Sequence, residues 1–418
     1  MIGERAIKNP KTYIKNMHFN KDAVMYFDDI ELGSMITVEH RSNNPKRDFL
    51  FVNKNQCKHI PSSPTTFHHM CKALASSVEY ALHKGEKVLV IGFAETATAI
   101  GDIVGNELLQ AKYIMHTTRE NILNSKQLIT FEEEHSHATT QKLLTFEDGL
   151  DLSQFTYVLF VEDEISTGNT ILNFIKAFKT KYEVANKFKY GVASICNWQS
   201  TEDIIKFNEE GIQTFALIRG NLIDTKIKML GDNTNLRIIE SDDEDNTDIC
   251  ENTEFKSLLS NKKNEIFRRE RLGYFKIDKN SFKVCSESIE KLLKEKVYDL
   301  NYNTIRIIGT EEFMSVPILI GEKLERVGKT VLCHATTRSS IDVLSTTFDG
   351  TASGIKDKHK LTSVYEAYRN TYIYNIGEHV DLTLFVSDTP DEERFKQTLN
   401  ELAVILGDKT GKLIGILL

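Results

Sequence analysis

At 418 residues and 47.7 kDa the chain is long enough for two or three domains, each with its own core. Hydrophobic residues at 40%, charged residues at 27% and a net charge of −8 describe an ordinary globular composition, argue against a broad nucleic-acid surface, and leave open a local basic pocket for a phosphorylated small molecule. No apolar run reaches the ~18 residues that span a bilayer, the first twenty residues lack the apolar segment of a secretory signal, and six scattered cysteines without a CxxC pair read as reduced thiols, so a cytoplasmic protein with neither membrane nor nucleic-acid partners is expected.

The predicted elements follow in chain order. "SMITVEH" reads as a strand, and "RDFLFVNKNQCKHIPSSP" as a strand entering a turn constrained by Pro61 and Pro64. "TTFHHMCKALASSVEYALHKG" has helical apolar spacing and ends on Gly85. "EKVLVIGFAETATAIGDIVGNELL" reads as strand, glycine turn and helix, and "AKYIMHTTRE" as a strand with a polar end. "FEEEHSHATTQKL", 131–143, is polar and does not read as a core element. "YVLFVEDEISTGNTILNFIKAF" is again strand, loop and helix, and "KFKYGVASICNW" and "IQTFALIRG" are further strands. Strands alternating with helices predict an α/β fold with a parallel sheet flanked by helices.

Between about 225 and 300 the texture changes. "ESDDEDNTD" carries six acids in nine residues and reads as a solvated loop. "FKSLLSNKKNEIFRRERLGYFKI" is charged and reads as partly helical. After 300 the chain repeats itself. Gly309, His334 and Val386 follow Gly92, His116 and Val161 at separations of 217, 218 and 225 residues, each within a similar strand end. The expected layout is therefore residues 1–225, an acidic and helical connector over 226–300, and a second, related α/β unit over 301–418.

The strand "YVLFV" is nearly all apolar, as a central parallel strand should be, and its polar residues begin at the carboxyl edge where open α/β sheets bind ligands. Ser166, Thr167, Gly168, Asn169 and Thr170 form the turn into the next helix. Hydroxyls, a permissive glycine and the free N–H groups of a first helical turn suit a phosphate. Glu162 and Asp163 would repel that phosphate and suit vicinal sugar hydroxyls, which donate where carboxylates accept. A Mg²⁺ nearby is compatible with their charge. Phosphate at one end and diol at the other describe a ribose 5-phosphate.

This stretch resembles the phosphoribosyl diphosphate signature of type I phosphoribosyltransferases: two acids after a buried strand, then Ser166-Thr167-Gly168-Asn169-Thr170 and a helix. The resemblance implies that fold, ribose contact by Glu162 and Asp163, and 5-phosphate cradling by 166–170. Glu164 departs from it, standing where the family has an apolar residue. Gly92, Ala94, Glu95, Thr96 and Ala97 fall where the family wraps a short loop around the diphosphate. Glu95 would need Mg²⁺ or a basic side chain between it and that ligand. Arg119 at the next strand end suits a bidentate hold on the diphosphate, while His116 either lines the site or packs. In the family a mobile loop covers the site at 131–143, making His135, His137 and Lys142 candidates to steady the leaving diphosphate, with Glu132, Glu133 and Glu134 beside them. His135 and His137 have no accompanying ligand cluster and do not read as a zinc site. Lys58 and His59, in a proline-braced turn, are candidates for the phosphate site or the acceptor pocket.

Taken together, "RDFLFVNKNQCKHIP", "GFAETATAIG", "HTTRE", "FEEEHSHATT" and "VEDEISTGNT" look like the phosphoribosyltransferases of bacterial tellurite-resistance or stress operons, whose C-terminal domain is named for a Thr-Arg-Ser-Pro motif. Here Thr337, Arg338 and Ser339 are followed by Ser340 instead of proline. The resemblance implies Mg²⁺-dependent transfer of a 5-phosphoribosyl group from its diphosphate to a base-like nitrogen acceptor, with a homo-oligomer or operon-encoded protein partners open. The competing reading is a non-catalytic sensor of phosphoribosyl diphosphate or a nucleotide; a further one is a scaffold whose C-terminal half binds another protein. The second unit keeps Asp388 but has Ser387 for Glu162 and no phosphate turn, so it is not expected to bind phosphoribosyl diphosphate.

Overall fold

The computed structural model describes residues 4–5, 14–19, 35–41, 49–120, 125–132, 140–145, 150–222, 250–257, 275–276, 287, 289–291, 293–294, 301–344 and 353–418. They divide into two compact units, one within Met1–Leu32, His68–Ile227 and Leu272–Phe282, the other within Gly33–Phe67, Lys228–Arg271 and Lys283–Leu418.

The first unit is a ten-stranded mixed sheet flanked by helices. Its strands are β1 (Glu4–Arg5), β2 (Ile14–Phe19), β5 (Val88–Gly92), β6 (Ala111–Thr118), β7 (Lys126–Glu132), β8 (Thr140–Thr145), β9 (Tyr157–Ile165), β10 (Lys189–Asn197), β11 (Ile212–Leu222) and β13 (Phe275–Lys276). Their order is β1-β2-β11-β10-β9-β5-β6-β8-β7, with β13 on β6. The five strands from β11 to β6 are mutually parallel, and Gly92 stands level with Val161 on one side and His116 on the other. Helix α1 (Pro64–Glu79) precedes β5, α2 (Thr98–Glu107) crosses from β5 to β6, α3 (Asn169–Lys181) from β9 to β10, and α4 (Thr201–Glu209) from β10 to β11. Helix α3 buries Ile171, Phe174, Ile175 and Phe178, the i, i+3, i+4, i+7 stripe of an amphipathic helix. Phe174 meets Phe131 and Phe160 edge-on at 4.9 and 5.0 Å. These rings belong to the core cluster of this unit.

The polar stretch 131–143, not expected in the core, contributes to it at its described ends. Its two ends belong to the β7–β8 hairpin, where Phe131, Gln141 and Leu143 are buried. Ladder pairing and those buried side chains override its polar composition. His135, His137, Glu133 and Glu134 lie outside the described residues.

The second unit holds a five-stranded, all-parallel sheet of order β12-β19-β18-β14-β15. Its strands are β12 (Thr253–Ser257), β14 (Thr304–Gly309), β15 (Thr330–Ala335), β18 (Leu382–Ser387) and β19 (Leu413–Leu417), with α5 (Ser315–Arg326) after β14 and α6 (Glu392–Leu406) after β18. Two hairpins complete it: β3 (Ile36–His40) with β4 (Phe49–Asn53), and β16 (Lys358–Thr362) with β17 (Asn370–Tyr374). Helix α6 packs Phe395, Leu399, Leu402 and Leu406, and Phe395 stacks on Phe385 at 5.1 Å.

The repeat expected from the sequence is visible as topology. Strand, helix, strand, hairpin, strand, helix, strand occurs in both units, and the order β10-β9-β5-β6 matches β19-β18-β14-β15. The fifth strand differs in origin. β11 follows β10 in the chain, whereas β12 precedes its whole sheet and pairs with the last strand. The segment 253–257, expected in a connector, is thus a parallel edge strand. "ESDDEDNTD" lies outside the described residues.

Candidate functional site

Three neighbouring strand ends of the first unit bring the candidate residues together. β5 ends at Gly92, β9 runs into Glu162, Asp163 and Glu164, and β6 ends just before Arg119. Gly92 cannot carry a side chain: a Cβ would stand 2.6 Å from Nδ1 of His116 and 3.0 Å from the Ala97 carbonyl. His116 is packed rather than lining the site: it is buried, and its Nε2 lies in hydrogen-bond contact with Asp102 Oδ1 of α2 at 2.7 Å.

Beyond Gly92 the turn Phe93–Ala97 crosses the sheet edge, with a cis peptide between Ala94 and Glu95. Its fixed points are backbone bonds. The Phe93 N–H donates to the Val161 carbonyl at 3.0 Å, and the Ala97 N–H to the Phe93 carbonyl at 3.1 Å. The Ala94 N–H donates to Thr117 Oγ1 at 2.8 Å, and Thr117 in turn bonds Gln141. Glu95 is buried, Thr96 half-buried, and the Thr98 hydroxyl donates to the Glu95 carbonyl at 3.3 Å. Arg119 is half-buried, and Lys142 stands level with Thr118 across β8.

The 166–170 turn is half-buried throughout. Gly168 is the N-cap of α3 at φ +81°, a left-handed conformation that glycine adopts without cost. No side chain caps this helix; in its first turn the Asn169 N–H reaches Thr167 Oγ1 at 3.3 Å and the Ile171 N–H the Gly168 carbonyl at 3.0 Å. Behind the turn, the main-chain N–H of Trp198 donates to the Ile165 carbonyl at 2.7 Å, and Gln199 Nε2 to the Thr167 carbonyl at 3.4 Å. Glu164, which departs from the signature, accepts from the Trp198 indole at 3.2 Å. Thr117, Gln141, Trp198 and Gln199 were not singled out from the sequence: each acts across strands, and although Thr117 lies within "HTTRE", no motif gives it a role.

The equivalent turn of the second unit is built differently. Asp391 caps α6, its side chain accepting from the Arg394 N–H at 3.0 Å. Asp388 accepts from Tyr365 at 2.7 Å. A carboxylate therefore occupies the helix end that α3 leaves uncapped.

Lys58 and His59 belong to this second unit. Nζ of Lys58 donates to the carbonyls of Glu311 at 2.6 Å and Thr336 at 3.1 Å, and the ring of His59 lies 5.9 Å from that of Tyr374. Around Lys58, Arg369 pairs with Glu311 and Arg338 with Glu312, both at 2.8 Å. The Lys58 ammonium is buried and donates to carbonyl groups of its own unit. His334 is fully buried; burial first, then the nearby Arg306 charge, hold its pKa down at about 3.

The five described cysteines are buried and outside any disulfide. Among the described residues no helix is long and apolar enough to cross a membrane, and no three His, Cys, Asp or Glu side chains are placed to enclose a metal ion.

Comparison with known proteins adds the following. A family model described as phosphoribosyl transferase matches residues 35–221, and one described as the TRSP domain C-terminal to that transferase domain matches residues 270–403. No curated protein matches the chain. Among solved structures, adenine phosphoribosyltransferase from Trypanosoma brucei, in complex with AMP, pyrophosphate and ribose 5-phosphate, is 11% identical, covering 56% of this chain and 95% of its own, with a TM-score of 0.34. The enzyme from Giardia lamblia, complexed with 9-deazaadenine, is 15% identical over 45% and 94%, at 0.32. Orotate phosphoribosyltransferase from Aeropyrum pernix is 11% identical over 44% and 87%, at 0.29. At these scores the likeness bears on neither substrate nor activity.

Proposed function

The chain is a member of the family in which a phosphoribosyl transferase domain is followed by a TRSP domain, and on that premise we propose that its first unit binds 5-phosphoribosyl 1-diphosphate and transfers the phosphoribosyl group to a base-like nitrogen acceptor. The observation that carries this reading is the convergence at one sheet edge of an uncapped helix start behind left-handed Gly168, the carboxylates Glu162 and Asp163, and the backbone turn 93–97.

The first-turn N–H groups of α3 and the hydroxyls of Ser166, Thr167 and Thr170 would hold the 5-phosphate. Glu162 and Asp163 would accept from the ribose hydroxyls. The 93–97 turn and Arg119 would take the diphosphate, with Lys142 on its flank. Binding at both ends fixes C1 against the acceptor, so that remote binding energy serves orientation. The C1–oxygen bond to diphosphate breaks as the C1–nitrogen bond forms, and the electron pair leaves with the diphosphate.

Adjacent Glu162 and Asp163 offer hard oxygen donors but no enclosing cage. That donor set suits Mg²⁺, which is usually held by one or two carboxylates together with substrate phosphates and water. Bound there, Mg²⁺ would neutralise developing diphosphate charge.

Incubation with phosphoribosyl diphosphate, Mg²⁺ and a panel of bases, assayed for released diphosphate, tests the reaction. Binding without turnover would favour the sensor reading. Neither binding nor turnover by folded protein would sink both.

A further inference from the structure

Glu164 is the carboxylate for which the phosphoribosyl reading supplies no task. Its side chain accepts the indole N–H of Trp198 at 3.2 Å. Trp198 is itself buried, at 2% exposure, directly after β10. Its main-chain N–H donates to the Ile165 carbonyl at 2.7 Å. Gln199 continues the contact through Nε2 to the Thr167 carbonyl at 3.4 Å. The orientation of Gln199 is fixed in turn by reciprocal bonds with Asn197, at 2.9 Å from its N–H to Oδ1 and 3.0 Å from Nδ2 to its Oε1. Residues 164, 165 and 167 are thus each held from one neighbouring segment, 197–199.

The geometry points to Glu164 and Trp198 as positioning residues that hold the 166–170 turn in the shape that receives a sugar phosphate. An indole nitrogen only donates, and a carboxylate acceptor makes that bond charge-assisted. A turn already ordered before the ligand arrives does not lose that freedom on binding. The bland alternative, a carboxylate merely satisfying a buried indole, predicts a stability effect alone. The inference rests on the phosphoribosyl reading of this turn and deepens it. It also brings a reporter: Trp198 is the single tryptophan of the chain, so tryptophan emission of the whole protein monitors this turn.

The test uses the full chain with ribose 5-phosphate, phosphoribosyl diphosphate with Mg²⁺, and inorganic diphosphate, followed by calorimetry and by tryptophan emission. The wild type should bind both sugar phosphates with a change in emission. Glu164→Ala should weaken ribose 5-phosphate about tenfold, Glu164→Gln, which keeps an acceptor oxygen, should recover most of it, and Trp198→Phe should resemble Glu164→Ala. Inorganic diphosphate should bind all four proteins alike. Wild-type affinity for ribose 5-phosphate in folded Glu164→Ala and Trp198→Phe overturns the brace while leaving the phosphoribosyl reading intact; if Glu164→Ala does not fold, Trp198→Phe decides. Absence of calorimetric binding of either sugar phosphate to the wild type overturns the reading, and the brace with it.

Discussion

Replacing Gly168 by alanine tests the turn on which the site depends. Two costs follow from its geometry. A side chain at φ +81° costs about 1–2 kcal/mol in the left-handed region. The added Cβ would also stand 2.3 and 2.5 Å from Cζ and Cε2 of Phe207. Phe207 is fully buried, so its ring cannot swing into water, and overpacking of this kind costs about 1–3 kcal/mol. The expected destabilisation is roughly 2–5 kcal/mol. Gly211 supplies the control: at φ +68° it has the same backbone problem, with nothing within 4 Å of its Cβ position. Gly211→Ala should therefore lose only the conformational part, about 1–2 kcal/mol. Urea unfolding followed by Trp198 emission reads both variants in the first unit, and ribose 5-phosphate titration under native conditions reads the turn. Equal urea midpoints for the two variants would refute the packing argument. A destabilised Gly168→Ala that binds ribose 5-phosphate like wild type would refute the turn as the phosphate seat.

Asp163→Asn keeps shape and removes charge, and should weaken phosphoribosyl diphosphate by roughly ten- to a hundredfold with little loss of stability, as isothermal titration and thermal melting would show. Lys58→Met should destabilise the second unit by about 2 kcal/mol, through the two carbonyls it leaves, and leave phosphoribosyl diphosphate affinity unchanged; a loss of affinity would return Lys58 to the site. His334 titrates near 6.5 unfolded and about 3 folded, so the unfolded chain binds more protons between those values. Stability should therefore fall as pH drops from about 6.5 towards 3, by at most about 1.4 kcal/mol per unit, and be indifferent to this group above 6.5. Urea midpoints at several pH values should show a shallower slope in His334→Leu than in wild type.

The first unit was legible where chemistry and sequence run together. An apolar strand, two acids, a hydroxyl-rich turn and an amphipathic helix occupy consecutive residues, so 157–178 could be read almost in full. The repeat could be read too, because each strand end carries its own short pattern. Contacts between distant residues could not. Lys58 meets carbonyls 253 and 278 residues away, and nothing in "NKNQCKHIP" says which unit will claim it. The same holds for β12: five residues of mixed polarity become a strand only because β19 offers them an edge. Glu164 had no reading until Trp198 stood beside it, since that pairing spans two strands. The hairpin β7–β8 was hidden by polar composition, its buried Gln141 serving a bond to Thr117 rather than a packing pattern.

The second unit's dependence on early residues also has a consequence in time. Glu39 bonds the Gly354 N–H across 315 residues, and His40 meets Asp342 across 302. At a synthesis rate of about 5–20 residues per second, the β3–β4 hairpin leaves the ribosome roughly 15–60 s before those partners exist. The strands β5 to β11 can all emerge and pair within that interval. The chain thus makes its candidate site early and its second sheet late, with the β3–β4 hairpin waiting on Asp342 and Gly354.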